Sequence, residues 1–143
     1  MEAAVKQADL IVTMTTTRTP FVKTEWVKKN ATVIQMSLHE IEDGIAINAE
    51  KMVVDNWAQM FQNPYSLISS LHQGGHLNEE DAIELKEIVT GHQTGRDSEE
   101  ASYVYASFGL GCLDVMVANK IYQLAKAKGV GQSLLLWDNP LWI

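Results

Sequence analysis

Threonines end an apolar run near the start of the chain, in the stretch DLIVTMTTTRTP at residues 9–20. Thr15, Thr16 and Thr17 carry short hydroxyl groups that can donate hydrogen bonds to a ligand without filling a crevice, as can the backbone N–H groups beside them. Alternatively, the hydroxyls bond their own backbone in a turn before Pro20. The residue types and their spacing therefore fit either a ligand-binding loop or a self-contained turn.

Two other polar clusters favour structural roles over chemistry. His72, Gln73 and His76 have a spacing that suits metal ligands on a helix, but the glycine pair at 74–75 argues against a helix there, and the chain has no H-E-x-x-H pattern. We therefore predict no metal site. The carboxylates at residues 79–87 are typical of a solvated helix face.

Composition indicates one ordinary domain, because the chain has 143 residues of which 46% are hydrophobic. The net charge of −7 argues against nucleic acid or an anionic membrane surface as a partner. No basic leader opens the chain, and no apolar run reaches the roughly 18 residues of a membrane span. We expect a soluble, cytoplasmic protein in which the single cysteine, Cys112, is a small buried hydrophobe.

Short apolar runs alternate with helical patterns along the chain, which is typical of a layered α/β fold. The runs predict strands at residues 10–14, 32–36, 52–54 and 103–106. Shorter helices are predicted at residues 24–30, 45–49, 56–63 and 78–90, and a long amphipathic helix around 113–124 ends at Gly129.

Strands that are apolar at every position, such as residues 10–12 and 52–54, predict a parallel sheet covered by helices on both faces. Ligands of such a sheet bind outside the carboxyl ends of its strands. Thr15, Thr16 and Thr17 follow the first predicted strand, so this placement favours the ligand-binding interpretation of the threonine loop.

Several blocks of the sequence together carry a family resemblance. ADLIVTMTTTRTP at residues 8–20 resembles the fourth-strand signature of the ornithine cyclodeaminase and μ-crystallin family. GHQTGRDS at 91–98, YASFGLGCLD at 105–114 and AKGVG at 127–131 follow the order of that family's C-terminal segments. The resemblance covers nearly the whole chain, and the paired blocks make it more specific than either block alone.

The resemblance implies an NAD(P)-dependent enzyme that acts on an amino acid or a related imine, with a Rossmann domain and a separate dimerising substrate domain. The family's glycine-rich phosphate loop has no counterpart here, because the only glycine before residue 74 is Gly44. We therefore expect residues 1–143 to be a single domain. It would comprise the C-terminal half of a Rossmann domain without its first strands, the last crossover helix and a tail. An N-terminal half encoded upstream is a possible partner.

Cofactor contacts are implied by the same alignment. Thr15, Thr16 and Thr17 fall at the strand-end crevice, Ser37 follows the next strand, and Ser107 with Gly109 falls beside the nicotinamide. Asp114 falls where the family often has an acidic residue that opens the last helix, although a carboxylate near a helix N-terminus is also favourable for structural reasons.

His39 aligns with the aspartate that serves as catalytic base in the cyclodeaminases proper. A histidine can act as general acid or base near neutral pH, whereas the alternative is an inert histidine in an exposed loop. The short loop QMSLHE at residues 35–40 looks closer to the branch that oxidatively cleaves an amino-acid conjugate to give 2,3-diaminopropionate during siderophore synthesis. The resemblance does not specify the substrate or the choice between NAD and NADP.

Two functions therefore remain: a piece of an NAD(P)-dependent enzyme, or an inactive or regulatory fragment that self-associates or binds a partner chain. We expect the chain alone to bind no dinucleotide with useful affinity, because the pyrophosphate site is missing. We also expect a homo-oligomer that covers the edge of the strand at 10–14, the apolar tail at 134–142, or both.

Overall fold

The computed structural model describes residues 1–135 and 137. Its contacts divide the chain into two compact units, Met1–Gly109 and a second unit that begins at Leu110. Each unit has its own internal contacts, and the single-domain organisation expected for the whole chain stays a prediction.

A parallel sheet of five strands forms the centre of the first unit. The strands are β1 (Leu10–Thr13), β2 (Thr32–Gln35), β3 (Lys51–Val54), β4 (Ala82–Glu84) and β5 (Tyr103–Ala106), in the spatial order β1-β2-β5-β3-β4. Every pairing is parallel, so the predicted α/β class with a parallel sheet is confirmed. All five carboxyl ends therefore lie at one edge of the sheet.

Five short helices belong to this unit: α1 (Glu2–Val5), α2 (Asp43–Ile47), α3 (Trp57–Gln62), α4 (Leu67–Gln73) and α5 (Leu85–Val89). Local capping fixes two of them, because the Asn56 side chain accepts a hydrogen bond from Gln59 N and the Ser66 hydroxyl accepts one from Ser69 N. The second unit contains the long helix α6 (Gly111–Lys128), which ends at Gly129 with φ of 63°, as predicted.

The core of the first unit lies on one face of the sheet. Ile11, Val33, Val104 and Met52 are in register across four strands, and all four are buried. They pack with buried side chains of the helices, among them Ile45, Trp57, Met60, Leu67, Ile68 and Leu71.

The opposite face is open at β1, where the prediction of a strand buried on both faces is wrong. Leu10 and Val12 are 57% and 58% exposed, whereas Ile11 and Thr13 are buried. β1 is an edge strand beside β2 alone, and no helix of the first unit covers this side of it. The prediction holds for β3, whose Met52, Val53 and Val54 are all buried.

Two predicted helices are wrong or shortened. Residues 24–30 form only a 3₁₀ turn, Thr24–Trp26, because the Thr24 amide and hydroxyl both bond to the Glu42 carboxylate and Val27 is extended. Gly44 allows this approach, since a Cβ there would lie 2.7 Å from Thr24 Oγ1.

Residues 78–90, predicted as one helix, contain a 3₁₀ turn, strand β4 and only then α5. Ala82 and Ile83 pair with Met52 and Val53, so sheet contacts override the acidic helical pattern, and the carboxylates at 79–87 share no continuous helix face. Helix α4 was not predicted, because the glycines at 74–75 mark its end rather than exclude it. Cys112 is exposed on α6, contrary to the expected burial.

The long segment between α5 and β5 is tied down by Lys51. Its Nζ donates to Thr94 Oγ1 (2.9 Å), the Gly95 carbonyl (3.1 Å) and Asp97 Oδ2 (2.6 Å). Hydrogen bonds from Lys51, Tyr103 and Thr94 lower the pKa of Asp97 from 3.8 to about 2. No helix in the described part of the chain is both long and apolar enough to cross a membrane.

Candidate functional site

A buried polar side chain stands at or just after the carboxyl end of four neighbouring strands. Thr13 ends β1, Gln35 ends β2, Asp55 follows β3 and Ser107 follows β5. Each is less than a tenth exposed. Burying a polar group costs free energy unless it is hydrogen-bonded, so the partners of these side chains indicate what the edge is built to hold.

Gln35 organises the loop after β2. Its Oε1 accepts hydrogen bonds from Glu40 N (2.8 Å) and Ile41 N (3.2 Å), while its Nε2 donates to the Leu38 carbonyl (3.2 Å). Because the amide of Gln35 is fully buried, these contacts fix the backbone of residues 38–41 against the end of the strand.

Asp55 organises the loop after β5. Its Oδ2 accepts hydrogen bonds from Ser107 Oγ (3.1 Å), Phe108 N (2.9 Å) and Gly109 N (2.8 Å), and its Oδ1 accepts one from Asn56 N. Gly109 has φ of +92°, a conformation that L side chains rarely adopt. The loop therefore wraps its donors around one buried carboxylate.

Glu40 links the loop after β2 to the threonine loop after β1. It is fully buried, and its Oε1 accepts a hydrogen bond from Thr15 N at 2.5 Å. Its Oε2 is buried without a hydrogen-bond partner among the described residues, as is the hydroxyl of Thr13. One oxygen of Glu40 thus holds the Thr15 amide while the other is unsatisfied.

The threonine loop forms a turn in which hydroxyl groups bond the loop's own backbone, as the alternative to ligand binding predicted. Thr15 Oγ1 accepts from Thr17 N (3.3 Å), and Thr17 Oγ1 donates to the Thr19 carbonyl and accepts from Thr19 N (3.1 Å). Thr16 is exposed, and its hydroxyl has no hydrogen bond within the described part of the chain. The loop is a self-bonded turn that leaves the Thr16 hydroxyl open.

The His39 side chain is only 17% exposed and has a carboxylate partner. It is therefore not the exposed loop histidine that was the alternative to a general acid or base. Its Nε2 lies 2.8 Å from Asp43 Oδ1, and the other oxygen of Asp43 accepts a hydrogen bond from Ser70 Oγ at 2.7 Å. When Nε2 donates to Asp43, the lone pair of the neutral imidazole lies on Nδ1. The carboxylate therefore orients the ring as a general base requires.

The parallel topology places the predicted site residues in loops at a single edge of the sheet. Thr15, Thr16 and Thr17 follow β1, Ser37 and His39 follow β2, and Ser107 and Gly109 follow β5. Of these, Ser107 and Gly109 are bound to Asp55, and Ser37 is half-buried with no side-chain hydrogen bond among the described residues. Their roles toward a cofactor stay predictions.

Three organising residues were missed from the sequence: Gln35, Glu40 and Asp55. Gln35 and Asp55 carry a recognisable signal, because each is a polar residue at the carboxyl end of an apolar strand, Gln35 as its last residue and Asp55 directly after it. Glu40 carries none, since nothing local distinguishes it from the solvated glutamates of the chain.

A groove of about 510 Å³ opens at the same edge. Its walls come from the loops after β1, β2 and β5 and from the α3 region, and its lining residues are Arg18, Leu38, Gln59, Gln62, Asn63, Pro64, Tyr65 and Phe108. A larger cavity of about 600 Å³ lies toward the amino ends of β2 and β5, with Lys28, Lys29, Glu50 and Glu100 among its lining residues. The groove, unlike the larger cavity, adjoins the loops that carry the predicted site.

The described residues form no cluster of three or more side chains that could hold a metal ion. His72 lies in α4 rather than in a loop, and its Nδ1 is 3.0 Å from the Leu77 carbonyl. Its ring packs edge-on against Phe61 at 4.9 Å. These contacts account for His72 as a packing residue.

A parallel α/β sheet with polar loops gathered at its carboxyl edge defines a protein of the Rossmann-like class. Residues 1–129 match the profile of the ornithine cyclodeaminase/mu-crystallin family, and the chain belongs to that family. The predicted family resemblance and fold class are both confirmed.

Relatives of the chain include dehydrogenases and reductases. The chain is 28% identical over 134 residues to N-((2S)-2-amino-2-carboxyethyl)-L-glutamate dehydrogenase of Staphylococcus aureus, covering 94% of this chain and 40% of that protein. It is 29% identical over 136 residues to delta(1)-pyrroline-2-carboxylate reductase of Bacillus cereus, covering 92% and 42%.

Among solved structures, an archaeal alanine dehydrogenase dimer with bound NAD matches with a TM-score of 0.75 and 28% identity, covering 95% of this chain and 43% of that one. The chain therefore spans about two fifths of the length of the relatives that it matches.

Proposed function

We propose that this chain contributes the nicotinamide side of a dinucleotide crevice to an NAD(P)-dependent enzyme that acts on an amino acid or an amino-acid conjugate. The observation that carries the proposal is the set of loops after β1, β2 and β5, held at one edge by buried Glu40, Gln35 and Asp55. The dehydrogenases and reductases among the relatives support the reaction class.

The side chains available at this edge fit a nicotinamide riboside. The hydroxyls of Thr16 and Ser37, which make no hydrogen bond among the described residues, can bond ribose hydroxyls or a carboxamide, and Gly109 would bring backbone close to the crevice without a side chain. When bound, the nicotinamide ring supplies hydride transfer. His39, oriented by Asp43, would take or return the proton that accompanies oxidation or reduction at the amino-acid carbon.

The pyrophosphate side of such a crevice needs a glycine-rich loop at a helix N-terminus, and the sequence contains no G-x-G-x-x-G. We therefore expect this chain by itself to bind NADH or NADPH weakly, with a dissociation constant in the millimolar range. Isothermal titration checks the affinity, and a low micromolar constant for either dinucleotide would contradict the expectation.

Amide chemical-shift mapping with millimolar NADH tests the proposed function itself. We expect shifts confined to the loops that contain Thr16, Ser37 and Gly109, because these are the loops that we propose contact the nicotinamide riboside. S37A should weaken the shifts, and S98A, on the segment before β5, is the matched control. Shifts that are absent, or that cluster at the amino ends of the strands, would overturn the proposal.

The second candidate, a fragment that self-associates, is favoured by the apolar surface of the chain. α6 contains no buried residue, and Leu113, Met116, Val117, Ile121 and Leu124 on it are each about half exposed or more. In the tail Leu134 and Leu135 are also exposed, while Leu136 and Trp142 lie outside the described residues. Such apolar area marks an interface, and we propose a homo-oligomer for either function.

A further inference from the structure

The structure assigns a carboxylate-binding site to the groove lined by Arg18, Gln59, Gln62, Tyr65 and Phe108, and we propose that it takes the distal carboxylate of a dicarboxylic amino acid or of its conjugate. The inference rests on the proposed function, since it names the substrate class for the same edge of the sheet. Its support is the contrast between the two arginines of the chain.

Arg96 is fully engaged. Its guanidinium donates to Thr32 Oγ1 (3.1 Å), to the Asn30 carbonyl (3.2 Å) and to the Glu99 carbonyl (3.1 Å), and it lies over the ring of Tyr103. These contacts account for Arg96 as a structural residue at the amino ends of β2 and β5.

Arg18 is held in place but its donors are not used. Its guanidinium carbon lies 4.9 Å from the centre of the Tyr65 ring, and within the described part of the chain the group makes no hydrogen bond or ion pair. A guanidinium stacked on an aromatic ring keeps its planar set of N–H donors directed outward, which suits a carboxylate bound through two oxygens.

The rest of the groove complements that donor set. It contains one cation and no carboxylate, although the chain as a whole has a net charge of −7. The side-chain amides of Gln59 and Gln62 make no hydrogen bond among the described residues, so they too can donate. Leu38, Pro64 and Phe108 supply apolar wall for the aliphatic chain of a ligand.

The combination selects the class of ligand. The single charge of the groove is the Arg18 cation, which favours an anion, and the apolar wall beside it favours an anion on a short hydrocarbon chain rather than inorganic phosphate. A carboxylate at the end of a short aliphatic chain satisfies both requirements. The groove is therefore a specificity site, which shares its walls with the loops after β1, β2 and β5 but uses Arg18, Gln59 and Gln62 rather than Thr16, Ser37 and Gly109.

Amide and arginine side-chain chemical shifts of the labelled chain test the assignment, with glutarate as the probe and glutaramide as its neutral isostere. We expect millimolar glutarate to shift the Arg18 Nε–H and the amides of Tyr65 and Phe108, and R18Q to weaken binding about tenfold. R18K keeps the charge without the planar donors, so its affinity for glutarate should lie between that of the unchanged chain and that of R18Q. K29Q removes a charge from the cavity at the opposite edge and should leave binding within about twofold.

Three results would overturn the assignment: no shift at Arg18, equal shifts with glutaramide, or unchanged binding in R18Q. A fourth would replace the ligand, namely Arg18 shifts caused by nicotinamide mononucleotide but not by glutarate, because the groove would then hold the phosphate of the nucleotide. The two proposals use different probes and different variants: S37A with NADH tests the proposed function, and R18Q with glutarate tests the groove, so failure of one is recognised independently of failure of the other.

Discussion

Single carboxylates control the geometry of this edge at the residue scale. Asp55 and Glu40 each reach from one strand-end loop to another and accept backbone N–H groups there. When either side of such a contact is removed, the other side is left buried without a hydrogen bond. The free-energy cost of that unsatisfied group exceeds the net gain of an ordinary hydrogen bond. The two residues therefore position the loops.

Removal of the Asp55 carboxylate should loosen the loop after β5. D55A leaves Ser107 Oγ and the amides of Phe108 and Gly109 without their acceptor, and we expect a loss of about 3 kcal/mol in the free energy of unfolding. Urea unfolding measures it. D9N, which alters an exposed carboxylate paired with Lys28, should change stability by no more than about 0.5 kcal/mol. Equal losses in both variants would contradict the role of Asp55.

Glu40 should protect one particular amide. In E40A the Thr15 N–H loses its acceptor, so its hydrogen exchange should accelerate about 10- to 100-fold. T17A, which removes the two hydrogen bonds between the Thr17 hydroxyl and the Thr19 backbone, should leave exchange at Thr15 close to that of the unchanged chain. Slow exchange at Thr15 in E40A would show that the turn, not Glu40, holds this loop.

These residue contacts explain which site features the sequence could reveal. The threonine loop could be located because it follows directly on an apolar strand. The hydrogen-bond partners of Glu40 and Asp55 could not be located from the sequence, because Thr15 is 25 positions from Glu40 and Ser107 is 52 positions from Asp55. No local pattern encodes such a contact, and only the order of the strands brings the groups together.

At the scale of elements, burial decides which predictions hold. The four predicted strands are present because each contributes apolar side chains, among them Ile11, Val33, Met52 and Val104, to the buried face of the sheet. The helix predicted at 78–90 is wrong because Ala82 and Ile83 gain more from pairing with β3 than the acidic pattern gains from a helix. Short elements near a sheet edge are decided by such tertiary contacts, which propensity alone does not encode.

The segment before β5 should depend on pH through Asp97. Its pKa is lowered to about 2 by hydrogen bonds from Lys51, Tyr103 and Thr94, so the folded state binds its proton less readily than the unfolded chain, where the value is near 3.8. The contribution of Asp97 to stability is therefore complete above about pH 4 and is lost as pH falls through 2.

The difference in unfolding free energy between the unchanged chain and D97N reports this contribution, because other titrations cancel in the subtraction. We expect the difference to stay constant from about pH 7 to pH 5 and to shrink toward pH 2. In a K51M background D97N should have a smaller effect, since the strongest partner of Asp97 is gone. A difference that grows on acidification would have the wrong sign.

At the scale of the whole molecule, the unpaired edge of β1 is the feature most in need of a partner. In the described sheet β1 pairs only with β2, and the Asp9 and Thr13 carbonyls accept from Thr32 N and Met36 N on that side. Backbone groups of Leu10 and Val12 point to the other side, where they form a template for another strand.

The same strand carries apolar side chains on its open face. Leu10, Val12 and Met14 are 57%, 58% and 76% exposed. Natural edge strands are usually protected by charged residues, proline or a covering helix, and none of these devices protects residues 10–14 within the first unit. A second copy that pairs with this edge would satisfy the backbone groups and bury the three side chains together.

We therefore expect a two-fold dimer whose interface includes β1, and V12K should shift it to monomer because a lysine on the open face opposes both burial and strand pairing. Light scattering across a concentration series measures the change. V89K places the same charge at the end of α5, next to β4 at the far edge of the sheet, where Val89 is 77% exposed, and should leave the dimer intact. A monomer of the unchanged chain at high concentration would refute the interface, as would a dimer that V12K and V89K affect equally.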